Sequence, residues 1–379
     1  MEIDNILQLT GITKQYPGTL AVDHVDLSIR RGEVHAIVGE NGAGKSTLIK
    51  MLSGAVVPTS GSINFEGQDF HNITPSQAIA KGVGVIYQEF NLVPGLSIAA
   101  NIFLGREYRN GIFLNTRLAE QEAQKLIDQW QVKLDPRAEV KSLSIAEQQI
   151  VEIIKAVSQD VKLLIMDEPT ASLTLDEVST LFRLTRQLKE NGVTIIYISH
   201  RLEEIFELCD RVSVLRDGHY ITTLDVPDAN EKELIRYMVG RDLGDYPRKQ
   251  PAQDDVLLAV SDLSDGHVFS DVSFDLHKGE ILGIYALIGA GRTDVAMTLF
   301  GAKPRQTGQI KIHGQPATIS RPSDAVGYGL GLVPEDRKGQ GLVLPMRSSE
   351  NMTLSTIESL SVNSFVKRKQ EDELVEDFR

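Results

Sequence analysis

Two kinds of hydrophobic pattern mark strands in the first 200 residues. Residues 25–29, VDLSI, alternate apolar and polar positions, which predicts a strand with one buried and one exposed face. Residues 34–39, 162–168 and 193–199 (VHAIVG, KLLIMDE and VTIIYIS) are instead almost continuously apolar. Runs of this kind are typical of strands that are covered on both faces, as in parallel sheets.

Helical patterns follow or separate these runs. A helix is predicted from Lys45 to about Ser53, shortly after the run that ends at residue 39. Residues 172–192, SLTLDEVSTLFRLTRQLKENG, lie between two apolar runs and predict a crossover helix that ends at Gly192. The strand–helix–strand order predicts a right-handed α/β core around a parallel sheet.

The chain repeats itself at a constant offset of 247 residues. For example, GAG at 42–44 recurs at 289–291, and PS at 75–76 recurs at 322–323. A period this long indicates a duplicated domain, because the units of a solenoid are far shorter.

The repeat and a polar stretch that carries two prolines divide the chain into three parts. We predict a complete first domain at 5–240, a linker at 241–255 and a second domain at 256–379. The second domain matches the first only as far as about residue 130, so we expect it to contain the N-terminal half of the repeat.

Composition narrows the class of protein. A chain of 379 residues suggests two or three domains, and its formal net charge of −13 argues against nucleic acid as a partner. Cys209 is the only cysteine, which excludes an intrachain disulfide and fits a reducing compartment. The N-terminus does not resemble a signal peptide, and no apolar run approaches the length of a membrane span. We therefore expect a soluble intracellular protein.

A phosphate-binding loop is the strongest chemical signal. Residues 39–47, GENGAGKST, follow a predicted strand and precede a predicted helix, as this motif requires. Glycines allow backbone N–H groups to surround phosphates, Lys45 neutralises the β- and γ-phosphates, and Ser46 can hold Mg²⁺. The candidate nucleotide-binding residues of the loop are Gly39, Glu40, Asn41, Gly42, Ala43, Gly44, Lys45, Ser46 and Thr47.

Two carboxylates end the segment at 162–168. Asp167 and Glu168 fall at the carboxyl end of a buried strand, which is where α/β sheets bind ligands. Asp167 is a candidate for the Mg²⁺ shell, and Glu168 is the candidate general base for the attacking water.

In this order, the motifs resemble those of an ATP-binding cassette (ABC) ATPase. The resemblance implies that Tyr16 stacks on adenine, and that Gln88 reaches Mg²⁺ and water and contacts a membrane partner. It implies that His200 contacts the γ-phosphate. Residues 143–149, LSIAEQQ, resemble the signature motif, but Ile145, Ala146 and Glu147 depart from its usual residues.

The two fused copies and the phrases GRDL, GAGRT and VPEDRK resemble the ATPases of bacterial monosaccharide importers of the ribose, galactose and xylose type. This family implies a duplicated P-loop NTPase-type parallel-sheet core with antiparallel β and helical subdomains. It implies ATP and Mg²⁺ as cofactors and ATP hydrolysis that energises sugar import. The implied partners are membrane permease subunits and, indirectly, a periplasmic sugar-binding protein, with this chain docked peripherally on the cytoplasmic face of the inner membrane.

The second copy departs from the motifs of the first. Its loop carries Arg292 and Thr293 where the first has Lys45 and Ser46, and Glu335 occupies the place of Gln88. Arg is a bulkier cation with a spread charge, so we expect impaired phosphoryl transfer there.

Cassettes of this family pair head to tail, so the first loop is expected to face a second signature. We expect this chain alone to bind nucleotide well and hydrolyse it weakly, unless a second copy of itself or another chain supplies that half-cassette. Two other hypotheses remain open. They are a soluble cassette protein of translation or DNA repair, and a catalytically impaired fragment. The tail at 361–379 is expected to begin a helical segment.

Overall fold

The computed structural model describes residues 4–70, 73–88, 90–171, 173–240, 254–286, 289–363 and 365–378. Contacts between residues divide the chain into two compact units, 1–247 and 248–379. Most of the linker expected at 241–255 lies outside the described residues.

The first unit combines two sheets, a short hairpin and eight helices among its described residues. Its strands are β1 (Asn5–Tyr16), β2 (Thr19–Arg30), β3 (Val34–Val38), β4 (Ser60–Phe65), β5 (Gln68–Phe70), β6 (Val83–Ile86), β7 (Arg109–Asn110), β8 (Phe113–Leu114), β9 (Leu163–Asp167), β10 (Thr194–Ile198), β11 (Arg211–Arg216) and β12 (His219–Asp225). Its helices are α1 (Lys45–Leu52), α2 (Pro75–Ala80), α3 (Ile98–Ile102), α4 (Thr116–Gln129), α5 (Ile145–Val157), α6 (Leu175–Glu190), α7 (Leu202–Leu208) and α8 (Glu231–Val239).

A six-stranded sheet forms the centre of this unit, in the order β12-β11-β3-β10-β9-β6. Strands β6, β9, β10, β3 and β11 run parallel, and β12 closes one edge antiparallel. All five residues of β3 and of β10 are buried, which explains why these strands are continuously apolar in sequence. The parallel α/β core predicted from the hydrophobic pattern is confirmed.

Alternate residues of the central strands enter two separate cores. Ile37, Ile165 and Ile196 pack with a four-stranded antiparallel sheet, β2-β1-β4-β5, and with α1. Ala36 and Met166 point to the opposite face, where they pack with residues of α4 to α7. Because both faces are covered, the carboxyl ends of the strands are left as the accessible edge of the sheet.

The second unit repeats the antiparallel part of the first. Its strands are β13 (Val256–Ser264), β14 (Val272–His277), β15 (Thr307–Ile312), β16 (Gln315–Pro316), β17 (Ser361–Val362) and β18 (Phe365–Val366). Its helices are α9 (Arg292–Leu299), α10 (Pro322–Gly327), α11 (Ser348–Thr353) and α12 (Arg368–Asp377). Strands β14-β13-β15-β16 form its antiparallel sheet, the counterpart of β2-β1-β4-β5.

One apolar segment of the second unit does not form a strand. Residues 281–285, ILGIY, occupy the repeat position of β3, yet Ile281 is 82% exposed and Tyr285 is 91% exposed. Within the described part of this unit, no parallel strand pairs with the segment.

The tail differs in part from the expected helix, because its first residues form the hairpin β17–β18 before α12 begins. Among the described residues, none of the helices has both the length and the apolar character needed to cross a bilayer.

Candidate active site

The loop at 39–47 joins β3 to α1 and depends on glycine at two points. A Cβ on Gly39 would lie 2.2 Å from the backbone oxygen of Leu215, and one on Gly44 would lie 2.6 Å from that of Ala21. Gly44 also has a φ of 100°, a left-handed conformation that side chains disfavour. The glycines therefore let the loop pack against neighbouring backbone and turn sharply into α1.

The middle of the loop is open to solvent while its base is buried. Glu40, Asn41 and Gly42 are exposed, whereas Gly39 and Ala43 are buried. Helix α1 begins without a side-chain cap and without an acidic residue in its first turn. Its N-terminal N–H groups, next to Ser46 and Thr47, therefore form the kind of helix terminus that attracts an anion.

Lys45 lies folded over its own loop. Its Nζ donates hydrogen bonds to the backbone oxygens of Gly39, at 2.7 Å, and of Glu40, at 3.1 Å. Burial lowers the pKa of Lys45, and the negative charges of Glu168 and Asp167 oppose that shift. The ammonium group is thus held by neutral acceptors, which an anionic ligand can replace.

The two predicted carboxylates lie at the end of β9, as expected. Burial and the charge of Glu168 raise the pKa of Asp167, and Lys45 partly offsets this effect. Glu168 has a φ of 49°, and its backbone N–H donates to the oxygen of Ile198 at 2.9 Å. This bond ties the turn after β9 to the end of the neighbouring strand β10.

Two predicted residues from separate segments, Gln88 and His200, meet at Glu168. The Nε2 atom of Gln88 lies 3.4 Å from its Oε2 atom. The Nδ1 atom of His200, from the turn after β10, lies 3.5 Å from its Oε1 atom. The His200 side chain is 61% exposed and that of Glu168 is 22% exposed, so the group opens to solvent. A carboxylate, an amide and an imidazole therefore converge at the carboxyl edge of the sheet.

Tyr16 and the signature-like segment lie on other elements. Tyr16 ends β1 and is half-buried, with Nζ of Lys14 5.2 Å from its ring centroid. In the segment at 143–149, Ser144 and Glu147 cap the start of α5 through reciprocal hydrogen bonds of 2.8 and 3.2 Å. The acidic residue at position 147 thus gives the helix a capping box.

A buried carboxyl group that the sequence analysis did not single out lies next to this site. Glu204 is 5% exposed and accepts hydrogen bonds from Thr170, Tyr197 and Ser199. In the sequence, Glu204 is marked only by its position four residues after His200, and it lies in the first turn of α7.

The second loop has a different arrangement of charges. Among its described residues, Arg292 Nη2 lies 2.6 Å from Glu335 Oε1, and the hydroxyl of Thr293 donates to Glu335 Oε2 at 3.1 Å. The counterparts of Lys45 and Ser46 are thus both bonded to one carboxylate. Part of the loop, residues 287–288, lies outside the described residues.

The family model for ABC transporters matches residues 22–171. A putative ribose/galactose/methyl galactoside import ATP-binding protein of Burkholderia cenocepacia is 48% identical over 358 residues, which cover 94% of this chain and 70% of the relative. The chain belongs to the ABC transporter family of import ATP-binding proteins. A ribose import ATP-binding protein of Rubrobacter xylanophilus is 47% identical, over 94% of this chain and 72% of the relative.

Solved structures agree with this family. The cbiO1 protein of Clostridium perfringens, part of an ABC transporter complex, has a TM-score of 0.54 and 26% identity, over 62% of this chain and 95% of its own. The ADP conformation of MJ1267, an ATP-binding cassette, has a TM-score of 0.56 at 24% identity and covers 62% of this chain, which supports the fold. The resemblance and the fold class predicted from the sequence are confirmed.

Proposed function

We propose that this chain binds ATP at the loop 39–47 and hydrolyses it at Glu168 to energise import of a monosaccharide through a membrane permease. The observation that carries the proposal is the convergence of Gln88 and His200 on Glu168, next to the loop that holds Lys45. The sugar class is taken from the names of the relatives, which specify ribose, galactose or methyl galactoside.

Binding follows from the resting geometry of the loop. When the triphosphate enters, Lys45 exchanges its bonds to two backbone oxygens for bonds to the β- and γ-phosphates. The exchange is favourable because the ammonium group replaces neutral acceptors with anionic ones, so that charge pairing is added to the hydrogen bonds. We assign adenine stacking to Tyr16, the half-buried aromatic residue at the end of β1.

Hydrolysis requires a general base and a group that binds the γ-phosphate. In our proposal, Glu168 accepts a proton from the attacking water, the water oxygen bonds to the γ-phosphorus, and ADP leaves with the electrons of the broken P–O bond. Gln88 orients the water, and His200 donates a hydrogen bond to a γ-phosphate oxygen. The close approach of Gln88 and His200 to Glu168 supports these roles.

The donors at the site fit Mg²⁺. Ser46, Gln88 and Asp167 offer hydroxyl, amide and carboxyl oxygens, the ligand types that this ion prefers. The raised pKa of Asp167 reflects buried negative charge that a cation would stabilise. When bound, Mg²⁺ supplies charge neutralisation to the phosphates. Among the described residues, no cluster of three acidic, histidine or cysteine side chains competes for a metal.

A cavity of about 230 Å³ beside Gln88 is our candidate docking site for a permease segment. Tyr87, Asn91, Glu152 and Lys155 contribute to its walls. The N–H of Asn91 donates to Glu152 at 2.6 Å, and Lys155 donates to the oxygen of Asn91 at 2.8 Å. These bonds join Asn91, shortly after Gln88, to α5. A permease segment in the cavity would therefore contact both Asn91 and α5. A periplasmic binding protein would deliver the sugar to the permease, and this chain would lie at the cytoplasmic face of the inner membrane.

The proposal is tested by replacing Glu168 with Gln in the full chain. Loss of the base should lower the rate of ATP hydrolysis about 10²- to 10³-fold and leave ATP binding intact. Glu203→Gln is the matched control, because Glu203 is an exposed carboxylate on α7. When each variant is co-expressed with a ribose or galactose permease, Glu168→Gln should take up less labelled sugar than Glu203→Gln. Wild-type hydrolysis by Glu168→Gln would refute the assigned base, and wild-type uptake would favour a non-catalytic role.

A further inference from the structure

The buried carboxyl group of Glu204 joins the two turns that carry Glu168 and His200. One oxygen, Oε2, accepts hydrogen bonds from the hydroxyls of Thr170 at 2.9 Å, Tyr197 at 2.9 Å and Ser199 at 2.8 Å. All four side chains belong to residues that are at most 5% exposed. Three donors that meet on one buried oxygen fix the positions of the segments from which they come.

Each bonded segment leads directly to a residue of the proposed reaction. Thr170 is two residues after Glu168, in the turn that leaves β9. Ser199 directly precedes His200, and its Oγ also accepts the backbone N–H of Arg201 at 3.0 Å. The Ser199 hydroxyl therefore links the residue before His200 to the residue after it, and it also bonds to Glu204. Within the described residues, the hydrogen bonds and the ion pair of Glu204 go to Thr170, Tyr197, Ser199 and Arg201, and none goes to the loop or to the reacting positions.

The need for such a bridge follows from the exposure and conformation of the turns. The side chain of His200 is 61% exposed and makes its contact with Glu168 at 3.5 Å, which is too long to hold the ring in place. Glu168 has a left-handed backbone, which costs free energy unless neighbouring bonds maintain it. The bonds to Glu204 provide a buried anchor behind both residues.

We propose that Glu204 is a positioning residue that holds His200 and Glu168 in register for the γ-phosphate. It would act through the hydroxyls of Ser199 and Thr170. The inference rests on the proposed function, because it assigns the γ-phosphate to His200. Its specific consequence is that loss of the bridge weakens recognition of the triphosphate more than recognition of the diphosphate.

The test compares binding of ADP and of a non-hydrolysable ATP analogue to the full chain. Glu204→Leu should weaken the affinity for the analogue about tenfold, the loss expected for a misplaced hydrogen bond to a charged group, and leave the affinity for ADP within about twofold. Glu204→Gln keeps an acceptor oxygen for the hydroxyls and should retain most of the wild-type preference. The rate of single-turnover hydrolysis should also fall more in Glu204→Leu than in Glu204→Gln.

Two further variants separate positioning from folding. Glu33→Gln changes another buried carboxyl group, 6% exposed and bonded to His35 and Arg211 at the start of β3, so its preference for the triphosphate should not change. If Glu204→Leu does not fold, the double variant Thr170→Val, Ser199→Ala removes two donors with little change in volume and should reproduce the effect.

The outcomes also distinguish this inference from the function on which it rests. Equal weakening of both nucleotides by Glu204→Leu, or an unchanged preference for the triphosphate, would overturn the positioning role. Absence of any preference for the triphosphate in the wild-type chain would instead count against the proposed function.

Discussion

The two copies of the phosphate loop hold their cation in different ways. Lys45 is bonded to two neutral backbone oxygens of its own loop, whereas Arg292 is bonded to the carboxylate of Glu335. A phosphate can replace neutral acceptors with a gain in charge pairing, but it would have to compete with a carboxylate for Arg292 and Thr293. A single acidic neighbour thus occupies the cation and the hydroxyl that a phosphate would need, although the glycine loop and the helix that follows it are kept.

One supporting element, a hydrogen-bonded asparagine, is kept in both copies. Asn101 accepts from the N–H of Val93 at 2.7 Å, and its Nδ2 lies 3.1 to 3.4 Å from three backbone oxygens. Asn351 repeats the pattern, accepting from Val343 at 2.8 Å and donating to three oxygens over the same distances. The difference is burial, since Asn101 is fully buried and Asn351 is partly exposed.

The largest difference between the copies is expected when each cation is removed. Lys45→Ala should lower the rate of ATP hydrolysis at least 10²-fold, because it removes the charge that pairs with the phosphates. Arg292→Ala should change the rate less than threefold. The measurement is ATP hydrolysis by the full chain with each substitution. An equal loss in both variants would show that the second loop also takes part in catalysis.

A smaller difference is expected in stability when the repeated asparagines are changed. Asn101→Ala leaves buried backbone groups without partners and should lower the free energy of unfolding by about 2–3 kcal/mol. Asn351→Ala should cost about 0.5–1 kcal/mol, because water can reach the groups that it exposes. Urea denaturation, followed separately for each unit, measures both. A larger cost at Asn351 would contradict the role assigned to burial.

The smallest effect is expected when the carboxylate of the second loop is neutralised. In a chain that carries Lys45→Ala, Glu335→Gln should increase residual binding of a fluorescent ATP analogue about two- to fivefold. The Arg292–Glu335 pair is more than half exposed, so its loss releases at most about 1 kcal/mol. Glu358→Gln makes the same change of charge at another exposed site and serves as control. Unchanged binding would mean that Glu335 does not block the loop.

The sequence was informative wherever a pattern is long or a motif has strict spacing. The continuous apolar runs predicted β3, β9 and β10. The helix predicted from Lys45 to about Ser53 is α1, which begins at Lys45 and ends at Leu52. The two-residue strands of the hairpins β7–β8 and β17–β18 were not predicted, because such short strands carry no periodicity.

Other features depend on contacts that no single segment encodes. The ILGIY segment has the same apolar pattern as β3, but strand formation also depends on pairing with neighbours. The meeting of Gln88, Glu168 and His200 was implied only by a family resemblance, since these residues are 80 and 32 positions apart along the chain. The bridge at Glu204 depends on hydroxyls from two turns, and side-chain hydroxyls have no spacing rule of their own.

The exposed ILGIY segment is also expected to affect how the protein behaves at high concentration. It is five residues long, uncharged, free of proline and rich in residues with high β-propensity, and Ile281 and Tyr285 are more than four-fifths exposed. An exposed, uncharged segment of high β-propensity is an aggregation hazard, because its unpaired backbone can pair with a copy from another molecule. The yield of soluble protein should therefore fall steeply as expression rises, and one lysine in place of Ile284 should restore it.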